Sequence, residues 1–322
     1  MKKDLCSLVM VIVFCIIGSS VYGQDYLVLK YNFKDGKTFR STISVNSNIV
    51  QSMMGEEMKI IADFESKSEI KFTKVDLGGN ATALVSIINI SAKTVRMGQE
   101  KEEKKSDFRK DGIRMVFAPS GKTVSVKSTD TNESSILREE TISADIKFFF
   151  LPGRATKIGE KWSDKQIDTT KTKPSNPITF MTTTTENEYT LAGKEIKDGK
   201  ELYKVSYTGT LEIAGKGKQE GMDLFIEGTG QTIGFFYFDP TISMVIYSES
   251  ETEMNTTIAL TGQENMTVPM IQKIKTVTTL EETSAADYFQ PSQLHIRFLS
   301  PKPLSTRATC GQNLLSFIHS RG

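Results

Sequence analysis

Residues 39–64 read FRSTISVNSNIVQSMMGEEMKIIADF, and this stretch decides the fold class. Mostly apolar residues occupy alternate positions from Phe39 to Val45 and again from Met58 to Phe64, with Gly55 between the two runs. Successive side chains of a β-strand point to opposite faces, so each run predicts a strand with one buried face. Gly55 marks the turn, and the stretch as a whole predicts an antiparallel hairpin.

The same alternation recurs along most of the chain. It returns at Tyr203, Val205 and Tyr207, and again in residues 222–226 and 254–260. Val, Ile, Thr, Tyr and Phe fill these runs, and glycine-containing turns separate them, as is typical of antiparallel sheets. We predict a mainly β fold in which long antiparallel strands form a curved sheet or half-barrel.

An internal repeat accounts for this recurrence. Residues 36–39 (GKTF) align with residues 159–162 (GEKW), and residues 117–120 (FAPS) align with residues 238–241 (FDPT). The offsets are 123 and 121 residues, in the same order along the chain. Because chance matches would not keep one offset, we predict a duplicated unit of about 120 residues.

One helix is expected between the two repeats. Asp130 and Glu133 have a spacing like that of a capping box, and apolar residues follow at helical spacing up to Phe149. The pair Pro152-Gly153 provides a stop for such a helix. We therefore predict one linking helix, packed on the sheet through the face that includes Phe149.

The first 23 residues have the composition of a secretion signal. Lys2 and Lys3 form a basic start, an apolar run covers residues 5–17, and small residues lead to Gly23. A bilayer span needs about 20 apolar residues, so the run is too short for an anchor. We expect cleavage before Gln24, a periplasmic or secreted protein, and no transmembrane segment after cleavage.

Two further stretches lack the apolar alternation. Residues 99–111 are highly charged and predict a solvated hairpin tip or loop. Beyond Leu280 the alternation fades, and three of the nine prolines lie close together. The predicted organisation is a signal peptide (1–23), a first β half (24–130), a linking helix (131–152), a second β half (153–280) and an irregular tail (281–322).

Charge and reactive residues exclude several function classes. Forty Lys and Arg residues balance 39 Asp and Glu residues, so no net field favours nucleic acid. Residues 24–280 contain neither His nor Cys, which hydrolases and metal sites usually need. We therefore expect no enzyme, no catalytic or metal-binding residue and no cofactor. Carboxylate pairs such as Glu186 and Glu188 leave an acid–base site open.

The methionine and phenylalanine residues are the remaining indication of function. Their soft apolar side chains suit a hydrophobic ligand cavity as well as a core. Both interpretations stay open on the sequence alone. The residues that we predict to line such a cavity are Met58, Phe64, Phe149, Met181, Met222, Phe236 and Phe238.

Three motifs resemble an uncharacterised family of exported bacterial β proteins, domains of unknown function common in Bacteroidota-type genomes. They are residues 31–39 (YNFKDGKTF), residues 53–58 (MMGEEM), and residues 151–153 (LPG) leading to 159–162. The pattern is also distantly similar to the lipoprotein-carrier half-barrel, in which curled strands enclose an apolar concavity plugged by a helix. The resemblance covers residues 26–280 and implies no catalytic residues.

Two functional hypotheses follow. The first is a non-enzymatic extracytoplasmic protein that binds a hydrophobic or lipid-like small molecule in an apolar groove. The second is a structural or protein-interaction module of the cell envelope, which contacts an envelope protein through its sheet and takes no small ligand. A continuous apolar pocket would favour the first hypothesis, and a fully packed core would favour the second.

Overall fold

The computed structural model describes residues 26–53, 55–106, 112–128, 148–171, 178–219, 221–262 and 265–283. Within these residues every regular element is a β-strand, and the mainly β prediction is confirmed. The strands are β1 (Tyr26–Val28), β2 (Thr38–Met53), β3 (Glu56–Val75), β4 (Ala81–Arg96), β5 (Gln99–Ser106), β6 (Ile113–Phe117), β7 (Thr123–Ser128), β8 (Ala155–Lys157), β9 (Lys161–Lys171), β10 (Ile178–Lys197), β11 (Lys200–Gln219), β12 (Met222–Asp239), β13 (Met244–Thr261) and β14 (Met266–Glu282).

Twelve strands form one antiparallel sheet. Eleven of them follow the order β7-β6-β4-β3-β2-β14-β13-β12-β11-β10-β9, and β5 pairs with β4 beside this path. The first and last strands of the path, β7 and β9, share no ladder in the described residues, so the sheet is open. Strands β1 and β8 form a separate two-stranded sheet.

The sheet is strongly curved, as a contact between its two edges shows. Eleven strands give ten spacings, so β7 and β9 would lie about 48 Å apart if the sheet were flat. Instead, Lys122 beside β7 and Asp164 on β9 form an ion pair of 3.2 Å. The predicted curved sheet of long strands is therefore confirmed. Where Lys122 and Asp164 meet, the two edges of the sheet nearly close around its concave face.

The hairpin of residues 39–64 is formed by β2 and β3. Met53 pairs with Glu56, and Gly55 occupies the turn with a φ of 84°. This left-handed backbone conformation favours glycine, because a Cβ atom is strained there. Val45 and Phe64 are direct partners in the register, so the two alternating runs share the concave face as predicted.

The duplication is visible in matching turns. In the first half, Gly36 N donates to Phe72 O at 2.9 Å, and Phe72 N donates to Lys37 O at 2.9 Å. In the second half, Gly159 N donates to Leu191 O at 2.8 Å, and Leu191 N donates to Glu160 O at 3.1 Å. Each half also places its strands in the same order, β7-β6-β4-β3-β2 and β13-β12-β11-β10-β9, and β14 joins them.

An aromatic core fills one end of the concave space. Two segments without regular structure, around residues 29–33 and 148–151, lie between the walls of the sheet and supply part of it. The Phe33 ring lies 4.8 Å from Phe72, and the Phe148 ring lies 4.7 Å from Phe117. These segments connect the two halves, which a flat sheet would hold apart. A smaller apolar cluster of Leu224, Ile226 and Leu260 lies at the other end of the second half.

The predicted linking helix is not observed. Residues 131–147 lie outside the described residues, and residues 148–152 have no helical structure. Leu151 N donates to Ser120 O at 2.9 Å, and Phe150 O accepts a hydrogen bond from Trp162 Nε1 at 3.1 Å. The backbone of this segment thus bonds to neighbouring turns, which an α-helix would not allow. The predicted helix therefore does not extend over residues 148–152, and for residues 131–147 it stays a prediction.

Two other boundaries differ from expectation. The charged residues 99–106 form strand β5, and most of residues 99–104 are exposed. Lys101 and Glu103 pair at 2.7 Å, and Lys104 and Glu102 pair at 2.7 Å. Pairing of opposite charges along one strand makes this polar sequence compatible with a ladder against β4. Strand β14 continues to Glu282, two residues past the expected end of the second half. Residues 1–25 and 284–322, with the predicted signal and most of the tail, lie outside the described residues.

Candidate ligand cavity

A cavity of about 410 Å³ lies on the concave face of the sheet, against the aromatic core. Its volume is within the range of small-molecule binding sites. Strands β2, β3, β13 and β14 form most of its wall, and residues 148 and 149 close one side. The lining residues are Tyr31, Ser41, Ile43, Val45, Phe64, Ile70, Phe148, Phe149, Tyr207, Val245, Ile246, Tyr247, Ser248, Ser250, Thr276, Thr278 and Leu280.

Strand register brings these side chains together. Thr276 on β14 pairs with Val45 on β2 and with Ser250 on β13, and Val45 pairs with Phe64 on β3. Directly opposed residues point to the same face of an antiparallel sheet. One row across four strands therefore presents two apolar and two hydroxyl side chains to the cavity.

Phe149 forms the apolar side of the cavity that faces the core. Its ring stacks on Phe236 with centroids 4.5 Å apart and lies 5.4 Å from the Tyr207 ring. The Phe149 carbonyl accepts a hydrogen bond from Tyr31 Oη at 3.1 Å, which holds the segment in place. Phe149 is only partly buried because one part of its ring contacts the core and another part borders the cavity.

Hydroxyl groups form the polar part of the cavity wall. Ser41 and Ser248 are buried there, and Ser250 is hydrogen-bonded to Tyr207. Ser66 lies between Phe64 and Ser68 on the same face of β3 but is not one of the residues that line the cavity. It is 1% exposed, and its Oγ has no hydrogen-bond partner. Such an isolated buried hydroxyl carries a desolvation cost of about 1–3 kcal/mol.

The tyrosines of the cavity are neutral groups. Burial raises the pKa of Tyr31 well above its ordinary value, and the coulombic effect of Tyr189 raises it further. Burial also raises the pKa of Tyr207. Both phenols therefore stay protonated at neutral pH. The described cavity wall can enclose an apolar molecule and offer it hydrogen bonds.

The structure separates the predicted lining residues into three groups. Phe64 and Phe149 line the cavity. Phe236 and Phe238 share its face of the sheet but are completely buried in the core below Phe149. Met58, Met181 and Met222 lie much farther along the strands. Met58 is six residues from Phe64, or about 20 Å, and Met222 packs on the small apolar cluster of the second half.

The hydroxyl residues of the wall were missed by the sequence analysis. Ser41 stood within the alternating run from Phe39 to Val45, and this position was its only signal. Ser250, Thr276 and Thr278 lie on strands rich in Ser, Thr and Glu, where alternation of polarity is weak. Nothing local distinguishes a hydroxyl that faces a cavity from one that faces solvent.

A second, wider space of about 750 Å³ lies farther along the concave face, next to the open edge of the sheet. It is more polar, with Asp164, Asn187 and Thr232 in its wall. The Asp164 side chain is 3% exposed, is paired with Lys122, and accepts a hydrogen bond from Gln166 Nε2 at 2.7 Å. This ion pair, of which only the Asp164 side chain is buried, therefore lies where the two edges of the sheet approach each other.

Searches for other site types gave negative results. In the described part of the chain, no cluster of three or more His, Cys, Asp or Glu side chains could hold a metal ion. No helix among the described residues is both apolar and long enough to cross a bilayer.

Comparison with known proteins identifies no family. No protein-family model and no curated protein matches the chain. Among solved structures, an outer membrane channel of Pseudomonas putida F1 is 7% identical, with a TM-score of 0.22 over 77% of this chain and 97% of that one. OccK7 (OpdD) of Pseudomonas aeruginosa is 8% identical, with a TM-score of 0.23 over 78% of this chain and 100% of that one. Likeness at this level supports no argument about function.

Proposed function

We propose that this is a non-enzymatic, extracytoplasmic binding protein that holds a hydrophobic or lipid-like small molecule in the cavity beside Phe149. The observation that carries the proposal is the cavity of about 410 Å³ between the aromatic core and strands β2, β3, β13 and β14. Burial of apolar ligand surface there would supply about 25 cal/mol for each Å² removed from water.

The shape of the fold supports this use. The aromatic core occupies one end of the concave face, and the cavity lies directly against it. Phe149 is held by its neighbours from below, while part of its ring remains available to a ligand. A preformed apolar surface of this kind binds without a large ordering cost.

The alternative, an envelope interaction module without a small ligand, retains one specific support. Most of the aromatic side chains near the cavity belong to a packed core, and Phe72, Phe117 and Phe236 are all fully buried. If the cavity holds only water, the sheet and its edges become the functional surface.

A matched pair of variants tests the proposal. Thr276→Phe places a ring in the cavity, whereas Thr257→Phe places the same ring on an exposed position of β13. We expect the first variant to weaken binding of a neutral fluorescent probe, N-phenyl-1-naphthylamine, at least tenfold, and the second to leave it unchanged. Native mass spectrometry of protein from its own host should show a retained lipid. Absence of both the lipid and saturable probe binding by the unmodified protein would contradict the proposal.

Export is the second part of the proposal. It is supported by the basic, apolar and small-residue order of residues 1–23. N-terminal sequencing of the mature protein should begin near Gln24. A soluble intracellular product that retains Met1 would contradict this part without affecting ligand binding.

A further inference from the structure

The cavity wall differs from the rest of the chain in its charge. Charged residues make up 25% of the sequence, so a random set of 17 residues would include about four (0.25 × 17). None of the 17 residues that line the cavity is Asp, Glu, Lys, Arg or His. Five of them are Ser or Thr, and three are Tyr. The polar side chains of the described wall therefore all carry hydroxyls, although the Tyr247 hydroxyl donates to Glu249 Oε2 at 2.9 Å on the outer face of the sheet.

Charged side chains near the cavity point to the other face of the sheet. Lys275 precedes Thr276 on β14, and strand alternation directs the two side chains to opposite faces. On that outer face Lys275 pairs with Glu249 at 2.6 Å, and Lys273 pairs with Glu253 at 2.6 Å. These charges already have partners and are separated from the cavity by the sheet.

The buried hydroxyls favour a particular kind of partner. A hydroxyl can donate one hydrogen bond and accept others, so it can pair with an alcohol, ester or amide. Of the five Ser and Thr residues in the wall, Ser41 and Ser248 are buried, and Ser250 is hydrogen-bonded to Tyr207. An ionised headgroup placed in this wall would lose its hydration and meet no opposite charge.

We infer that the cavity selects uncharged ligands, with an apolar body and a hydroxyl, ester or amide group, over anions or cations with the same apolar body. This inference rests on the proposed function, because it names the class of ligand that the same cavity takes. It follows from the charge-free wall and the hydroxyl band formed by Ser41, Ser248, Ser250, Thr276 and Thr278.

Matched ligands of one chain length test the selection. Binding of 1-monododecanoylglycerol, dodecanol, dodecanoate and dodecylamine to the full chain is measured by calorimetry near pH 8, where the acid and the amine are ionised. We expect each neutral compound to bind at least tenfold more tightly than either ion. Equal or tighter binding of dodecanoate or dodecylamine would overturn the inference and leave the proposed function intact. Failure of all four compounds to bind would overturn both.

A charge placed in the wall provides a second test. Thr276→Lys puts an ammonium group in the cavity, and Thr276→Met puts an uncharged side chain of similar length there. We expect the lysine variant to favour dodecanoate over dodecanol at least tenfold, and the methionine variant to keep the preference for dodecanol. An unchanged preference in a folded lysine variant would overturn the inference. If the lysine variant does not fold, the comparison of the four ligands on the unmodified protein decides the question.

Discussion

Replacement of Phe149 by alanine tests whether this residue only packs in the core or also borders a ligand cavity. A fully buried Phe→Ala substitution costs about 3–5 kcal/mol through lost burial and cavity formation. Phe149 is partly buried, stacked on Phe236 at 4.5 Å but open to the cavity on another part of its ring. Because that part has no packing to lose, we expect a cost of about 2–3 kcal/mol, less than for a complete core residue.

The assay is urea denaturation of the unmodified protein and two variants, followed by titration with N-phenyl-1-naphthylamine. Phe72→Ala is the matched control, because Phe72 is fully buried, and neither Phe72 nor its ring partners Phe33 and Phe39 line the cavity. We expect Phe72→Ala to cost about 4 kcal/mol without altering the affinity of the remaining folded protein for the probe. Phe149→Ala should be milder and should change probe affinity. Equal destabilisation by the two variants, together with no saturable probe binding by the unmodified protein, would refute the reasoning and favour the interaction module.

Three further outcomes are expected. Asp164→Asn should lower the free energy of unfolding by about 1–2 kcal/mol and speed hydrogen exchange in β9, because it weakens the ion pair between the sheet edges. The control, Ser163→Ala on the same strand, should change neither quantity. An unchanged exchange rate in Asp164→Asn would count against a role of this ion pair. Truncation after Thr283 should shift the melting temperature by only a few degrees, because the last described contacts are the bonds from Thr283 to Thr38 O; a large drop would show that the tail packs on the sheet. Alkaline pH should destabilise the fold, because burial raises the pKa of Tyr31 and Tyr207, and the Glu195 hydrogen bond raises the pKa of Tyr237 to about 12. Phenols with raised pKa stabilise the protein below about pH 10 and lose this contribution at higher pH. The melting temperature should therefore fall as the pH rises from about 9 to 12. This fall should be smaller for the Tyr207→Phe variant, which lacks one of these phenols.

Local sequence patterns were sufficient for the strands and the repeat. Alternation on either side of Gly55 fixed the first hairpin, because the period of two and the turn glycine act within a few residues. The matched motifs at Gly36 and Gly159 correspond to turns with the same hydrogen bonds. Information of this kind is local, and a single sequence contains it.

The depth of a residue along the concave face was not predictable. Phe64, Phe236 and Met222 all face the same side of the sheet, in agreement with their alternation. Their roles differ because the inner segments around residues 29–33 and 148–151 cross the concave face at one level only. Residues below that level belong to the aromatic core, and those at its edge line the cavity. Farther along the strands, Met222 instead packs on the small apolar cluster of the second half. This level depends on long-range packing, which no local pattern records.

Residues 148–152, the end of the predicted helix, are not helical for a related reason. Three consecutive phenylalanines at residues 148–150 are compatible with a helix that is apolar on several sides, but also with an extended segment between two walls. In the structure Phe148 contacts Phe117 of the first half, and Phe149 contacts Phe236 of the second half. An extended segment suits these contacts, because its successive side chains point to opposite sides, and the two halves meet only in the folded state.

Strand β14 has a consequence for the order in which the protein folds. It is the only described strand that pairs with strands of both halves. Its partner β2 lies more than 200 residues earlier in the chain. The ion pair between Lys37 and Glu282, which are 245 residues apart, illustrates this separation. Contacts between such distant residues form slowly, because the intervening loop must close first. Until β14 has been made and has docked, β2 and β13 each present an unpaired edge to other chains. The growing chain therefore remains open to edge-to-edge aggregation until β14 is added, and a chaperone that shields β2 would be most useful during that interval.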